Sequence, residues 1–218
     1  MATSEDAAPT TESAGSTEPT VRPRGRVRLK RTALMAVPAV AVGAVLMTLT
    51  AQGVLAAQFA ISGMPFTVTA DSLDGVGFAQ FGSMDHMIEN SPNQGDTGGQ
   101  VLVMISAIKD ASLTKLCQSV DLGGINLLIR AGDAGTPVTA TDLTTDSDLL
   151  SGDAEFKNIE IGGDASTYTK GGAKGLPGVF GQQADTVKIR NLRQHNYATT
   201  AAAFKLPNLR MSFSSEGC

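Results

Sequence analysis

The stretch PFTVTA, Pro65–Ala70, decides how the chain is read. Phe66, Val68 and Ala70 alternate with Thr67 and Thr69. A two-residue period places one side of an extended strand on a core and the other in water. The same rhythm recurs in INLLIR, where Ile125, Leu127 and Ile129 alternate with Asn126, Leu128 and Arg130. In DTVKIRN, Val187 and Ile189 oppose Lys188 and Arg190, and near the end Leu209, Met211 and Phe213 alternate with Arg210, Ser212 and Ser214. The last three apolar residues are expected to face the core. VLVMISAI, Val101–Ile108, is apolar on both faces and reads as a more central strand.

Glycine-rich and acid-rich segments separate these runs: Ser72–Gly75, Ser91–Gln100, Arg130–Pro137, Gly162–Ser166 and the long polar stretch Tyr168–Gly178. Many short strands divided by turns predict a mainly β domain. A two-sheet β-sandwich is the first expectation. A β-solenoid is the alternative, favoured by an Ala-Asp echo between Ala70–Gln80 and Ala184–Gln194. Two echoes so far apart do not set a stacking period.

Upstream the texture changes. Met1 to Val21 is mostly Ala, Ser, Thr, Glu and Pro, too poor in apolar surface to offset ordering its backbone, and is expected to be a disordered cytoplasmic tail. Arg22, Arg24, Arg26, Arg28, Lys30 and Arg31 follow with no acid among them, and no charge falls between Thr32 and Phe59. Thr32–Leu49 is the one segment of helical texture. Basic residues, then an apolar run, then chain of different composition is the order of an export signal or a transmembrane anchor. Val54 and Ala56 have the small-residue spacing of a cleavage site. The expected organisation is a tail over 1–21, a basic patch with signal peptide or transmembrane helix over 22–56, and an exported all-β domain over 57–218. That places the domain outside the cell, secreted after cleavage near Ala56 or held at the inner membrane through its leader.

The expected exported part carries 11 Lys or Arg against 17 Asp or Glu. This acidic balance disfavours nucleic acid and other polyanions. Its two cysteines are Cys117 and Cys218. An oxidising exterior permits a structural disulfide between them, which would tie down a C-terminus that otherwise frays. Two free thiols or an intermolecular bond are the alternatives.

Candidate chemistry is sparse. Asp71-Ser72-Leu73 approaches the nucleophile block of a lipase family, with Ala70 where that block has glycine. That family's base sits in Asp-x-x-His, whereas Leu192 precedes His195 by that spacing. Asp71–Gly75 reads better as a turn. Ser106 with Lys109 and Ser112 with Lys115 both match S-x-x-K, but lack the companion motifs of a serine hydrolase. His86 beside Asp85 reads as a loop histidine, and Asp142, Asp146, Asp148 and Asp153 as a solvated acidic turn without the calcium-loop spacing. No catalytic, metal or cofactor-binding residue is assigned, and no cofactor is expected.

The basic patch and apolar leader, AQFAISGMPFTVTADSLDGVGFAQFG at Ala57–Gly82, LCQSV at Leu116–Val120, AEFKNIEIG at Ala154–Gly162 and Gly178–Phe213 together resemble a family of uncharacterised exported proteins of streptomycetes and related actinobacteria, the domain of unknown function 6230 family. The resemblance runs from about Arg28 to Cys218. Members often carry the label cholesterol esterase, which implies an envelope or lipid context. The resulting expectation is a non-enzymatic cell-envelope or secreted β domain with a structural, protein-binding or hydrophobic-ligand-binding role, partnered by an envelope protein or lipid. A lipid-ester hydrolase with an atypical serine site is the alternative.

Overall fold

A computed structural model describes residues 60–218. The expected tail, basic patch and apolar leader, with the helix Thr32–Leu49, lie outside the described residues. The expected transmembrane helix is corrected on this point: among the described residues no helix is long and apolar enough to cross a membrane. A span needs about 20 helical residues. The helices described are two three-residue 3-10 turns, Gly95–Thr97 and Ala165–Thr167.

The domain is mainly β, with one large antiparallel sheet. Its strands are β1 Phe66–His86, β2 Gln100–Thr114, β3 Leu116–Asp121, β4 Asn126–Ala131, β5 Val138–Lys157, β6 Glu160–Asp164, β7 Phe180–Thr200, β8 Ala203–Lys205 and β9 Arg210–Ser214. All nine belong to the same sheet, so hydrogen bonding does not divide them into two. β1 pairs with β2, β2 with β5, β5 with β7, and β7 returns to β1. The circuit is strongly staggered. Phe81 lies directly opposite Gly181, but the other way round, through Ile105 and Asp146, it reaches Ala198.

β2 and β3 are two parts of one long partner for β1. The register is unbroken from Ser72↔Thr114 to Thr69↔Cys117. Between them Lys115 has a positive φ of 50° and its ammonium bonds the Asp71 carboxylate at 2.7 Å.

Two apolar clusters form on opposite faces. The larger holds Val68, Ala70, Leu73 and Phe78 of β1 against Ile108, Leu113, Val138, Leu143, Val187, Ile189 and Leu192. The smaller holds Ala79 and Phe81 of β1 against Ala165 and Tyr168. β1 therefore changes the cluster it serves between Phe78 and Ala79. Gly77 sits just before that change with φ +68°, and a Cβ there would meet the Lys170 carbonyl oxygen at 2.5 Å. Only glycine suits both the dihedral and the space. Tyr168 is almost fully buried, and its hydroxyl donates to the Gly163 carbonyl at 3.1 Å. It anchors what the sequence presents as a plain polar stretch.

Several expectations hold. Val68, Ala70, Val187 and Ile189 are buried. β2 is central, paired on both sides. Others are corrected. Ser72–Gly75 is strand interior, because β1 runs through it paired on both edges. The segment carrying Asp142, Asp146, Asp148 and Asp153 is strand β5, not a turn. The Ala70–Gln80 and Ala184–Gln194 echo marks two neighbouring antiparallel strands, with Ala70↔Leu192 and Phe78↔Ala184, and not a stacked repeat.

Cys117 and Cys218 are joined, their Cα atoms 6.0 Å apart. Cys218 N donates to Ser119 Oγ at 2.9 Å, and the Cys218 carbonyl accepts from Arg193 Nη1 at 3.1 Å. The tail thus folds back over β3 and β4. Cutting this bond opens a loop of sequence separation 101, at a typical cost of about 2–5 kcal/mol. In Cys117→Ser we expect a lower urea midpoint and faster amide exchange across Arg210–Cys218 than in β1 or β2. Equal exchange in both regions would contradict the anchoring role.

Candidate functional site

Ser72, the nearest approach to a nucleophile, is engaged elsewhere. Its Oγ shares a hydrogen bond with Thr114 Oγ1 at 2.9 Å. His195 lies across from Thr67, whereas Ser72 lies across from Arg190. Five residues of β1 separate the two positions, roughly 16 Å along a strand. A nucleophile and its base must come within hydrogen-bond reach, and these two are not brought together. Ser106 is buried and accepts from Gln80 Nε2 at 2.9 Å, while Lys109 Nζ donates to the Thr169 carbonyl at 3.3 Å. Lys115 is spent on Asp71.

His195 has a partner that sequence spacing did not suggest. Its Nδ1 lies 2.7 Å from Asp148 Oδ1, and Tyr197 Oη donates to Asp148 Oδ2 at 3.4 Å. The pair forms because β5 lies beside β7, with Leu149 opposite His195. Nothing in the local sequence shows that adjacency.

A second pairing brings Asp85, near the end of β1, close enough to Asp146 in β5 for each carboxyl group to shift the other. Two carboxyl groups sharing a site favour one of them keeping its proton. Burial first, and then the charge of Asp85, push Asp146 up to about 7. Burial raises Asp85 too, opposed by Asp146 and by the nearby His86. Asp85 Oδ2 and Asp146 Oδ1 have no hydrogen-bond partner among the described residues. No group of three or more His, Cys, Asp or Glu side chains able to hold a metal ion occurs among the described residues.

The linkage has a definite sign. Between the ordinary aspartate value of 3.8 and about 7 the folded state holds a proton that the unfolded chain has released. Stability therefore falls as pH rises through that window. Asp146→Asn keeps a donor toward Asp85 and removes the titration. We expect the wild-type melting temperature to drop between pH 5 and pH 8, and the variant's to drop less. Parallel pH profiles would show that this pair does not set the dependence.

Two hollows bear on ligand capacity. The cavity inside the larger core measures about 30 Å³ and is lined by Val68, Phe78, Ile108 and Leu143 with Ser106, Thr145, Gln194 and Asn196 at its polar part. Small-molecule pockets run to about 300–1,000 Å³, so a sterol does not fit there. A trough of about 710 Å³ lies along β1, β2, β5 and β7. Its charged lining is mixed: Asp74, Asp110 and Glu155 with Lys157, Lys188 and Arg190. Asp74 and Lys188 bond each other at 3.1 Å.

The least expected surface is apolar. Leu209, Met211 and Phe213 do not pack on the core: they are 46%, 60% and 66% exposed. The pairing Ile129↔Met211 and Leu127↔Phe213 puts them beside β4, and Gln118↔Ile129 and Val120↔Leu127 extend the same face to β3. Exposed Leu122 and Ile125 continue it at the β3–β4 turn. Of INLLIR, the buried residue is Leu128, on the opposite face, where the disulfide-bound tail lies. Leu127 and Ile129 are half-buried on the other face, which the pairings Val68↔Gln118 and Gln118↔Ile129 make continuous with the face of the larger core. β9 is a sheet edge, so nothing pairs beyond it among the described residues.

No curated protein and no solved structure matches the chain. A family described as a family of unknown function (DUF6230) matches residues 62–218. With most of its length, including the disulfide, the staggered sheet and the apolar face of β3, β4 and β9, the chain belongs to the DUF6230 family.

Proposed function

We propose that the chain is an exported, non-catalytic β domain that binds another protein through the apolar face of β3, β4 and β9. One observation carries this reading: the aligned exposed side chains of Met211 and Phe213 on a strand that a disulfide holds in place, with exposed Leu209 just before it. Contiguous apolar patches on otherwise polar domains mark interaction sites. Pre-ordering the strand lowers the entropy lost on binding. A disulfide fits an oxidising compartment, and the mature chain on this reading begins near Ala57. The strong stagger of the single sheet supports a flattened, sandwich-like closure around the larger core.

The serine-ester alternative gains nothing from the geometry, since Ser72 bonds Thr114 and stands away from His195. Storage of a hydrophobic ligand in the core is opposed by the small cavity.

The test compares wild type with Met211→Ser/Phe213→Ser. Both positions are exposed, so each change should alter stability by no more than about 0.5 kcal/mol. We expect the double variant to lose partners that wild type captures from envelope extracts, with neither protein hydrolysing short- or long-chain esters. Ester turnover abolished by Ser72→Ala would overturn the non-catalytic reading. Identical capture by both proteins would remove the apolar face from the account.

A further inference from the structure

We infer that the edge of β9 left unpaired among the described residues pairs antiparallel with β9 of a second copy of this chain. The inference rests on the apolar face of β3, β4 and β9 being the working surface, and it names a partner for it. β9 bonds β4 on one side and is the last strand of the sheet order. An open edge bearing apolar side chains is a template for another strand. Proteins usually blunt such edges with proline, lysine or a bulge. RMSFS, Arg210–Ser214, contains neither proline nor lysine, its pairing with β4 is regular, and its one charge, Arg210, is bonded to Asp133.

The pattern of β9 favours its own copy over an unrelated strand. A two-fold interface sets the same patch against itself. With the axis at Ser212 the full five-residue strand is used. Met211 then faces Phe213 of the second copy, and Phe213 faces its Met211. Arg210 faces Ser214, so no like charges meet. The apolar rows Ile129–Met211 and Leu127–Phe213 run on across the axis into one doubled face. Opposed apolar pairs on neighbouring strands are the unit of sheet stabilisation. Five residues give a small contact against the roughly 1,200–2,000 Å² of a stable interface, so the dimer dissociates on dilution.

Two charged variants test this in the intact disulfide-bonded protein: Met211→Glu/Phe213→Glu and Met211→Lys/Phe213→Lys. Circular dichroism verifies that each is folded. By sedimentation we expect concentration-dependent dimers for wild type, monomers for each variant alone, and recovery of dimer when the two are mixed. Amide exchange across Arg210–Ser214 should slow with increasing wild-type concentration, because edge pairing adds backbone hydrogen bonds. A wild type that stays monomeric at every concentration overturns the inference. So does a dimer that forms without added protection in β9, or one that both charged variants retain. A monomeric wild type that still captures another protein through Met211 and Phe213 overturns the second copy alone and leaves the binding face standing.

Discussion

Everything in the domain leans on β1 being paired along both edges. From Ser72 to Phe81 it is bonded to β2 on one side and β7 on the other. A central strand has no free backbone group to spare, so its neighbours inherit its register. Leu73 and Phe78 can then serve one cluster, and Ala79 and Phe81 the other. Gly77 stands just before the change between them, where a side chain would strike the Lys170 carbonyl. A slip by one residue would turn every apolar side chain of β1 to the wrong face. The loop that carries Tyr168 would then lose the surface it covers.

Strand type and part of the core were legible in the sequence because periodicity is local. Phe66–Ala70 and Asp185–Asn191 contain their own alternation, and their buried residues followed from it. What could not be read was set by partners distant in sequence. Ser72–Gly75 has the composition of a turn, yet two long neighbours hold it extended. Asp148 and His195 meet only because β5 and β7 adjoin. Asp146 looks like one acid in a solvated group until β5 brings it to Asp85. Alternation also states that a strand has two faces, but not which face the core takes. Nor does it state how far the core extends: Met211 shares the core's face through Ile129, Gln118 and Val68, yet Leu209, Met211 and Phe213 are exposed.

The disulfide sets what covers the opposite face at the C-terminus. Cys117 stands on β3 and Cys218 ends the tail, so their bond and the Cys218–Ser119 hydrogen bond pull the tail across one face of β3 and β4. Gly217 allows that approach: a Cβ there would come within 3.0 Å of Ser119 Oγ. Leu128 is buried on that side. With one face of this small sheet occupied by the chain's own end, Met211 and Phe213 lie on the other, exposed beyond the residues of the larger core.

The same constraint bears on energetics. Exposed Met and Phe on a loose terminus would be free to collapse onto the nearest apolar surface, and ordering them for a partner would cost about 1–2 kcal/mol per residue in backbone entropy. A terminus tied at Cys218 has already met much of that cost during folding. Its β4 pairing, Asn126↔Ser214 to Arg130↔Arg210, is short, and a short edge strand alone would fray. The covalent tie therefore does two things at once: it closes the domain, and it keeps an apolar edge displayed that would otherwise be lost to local unfolding.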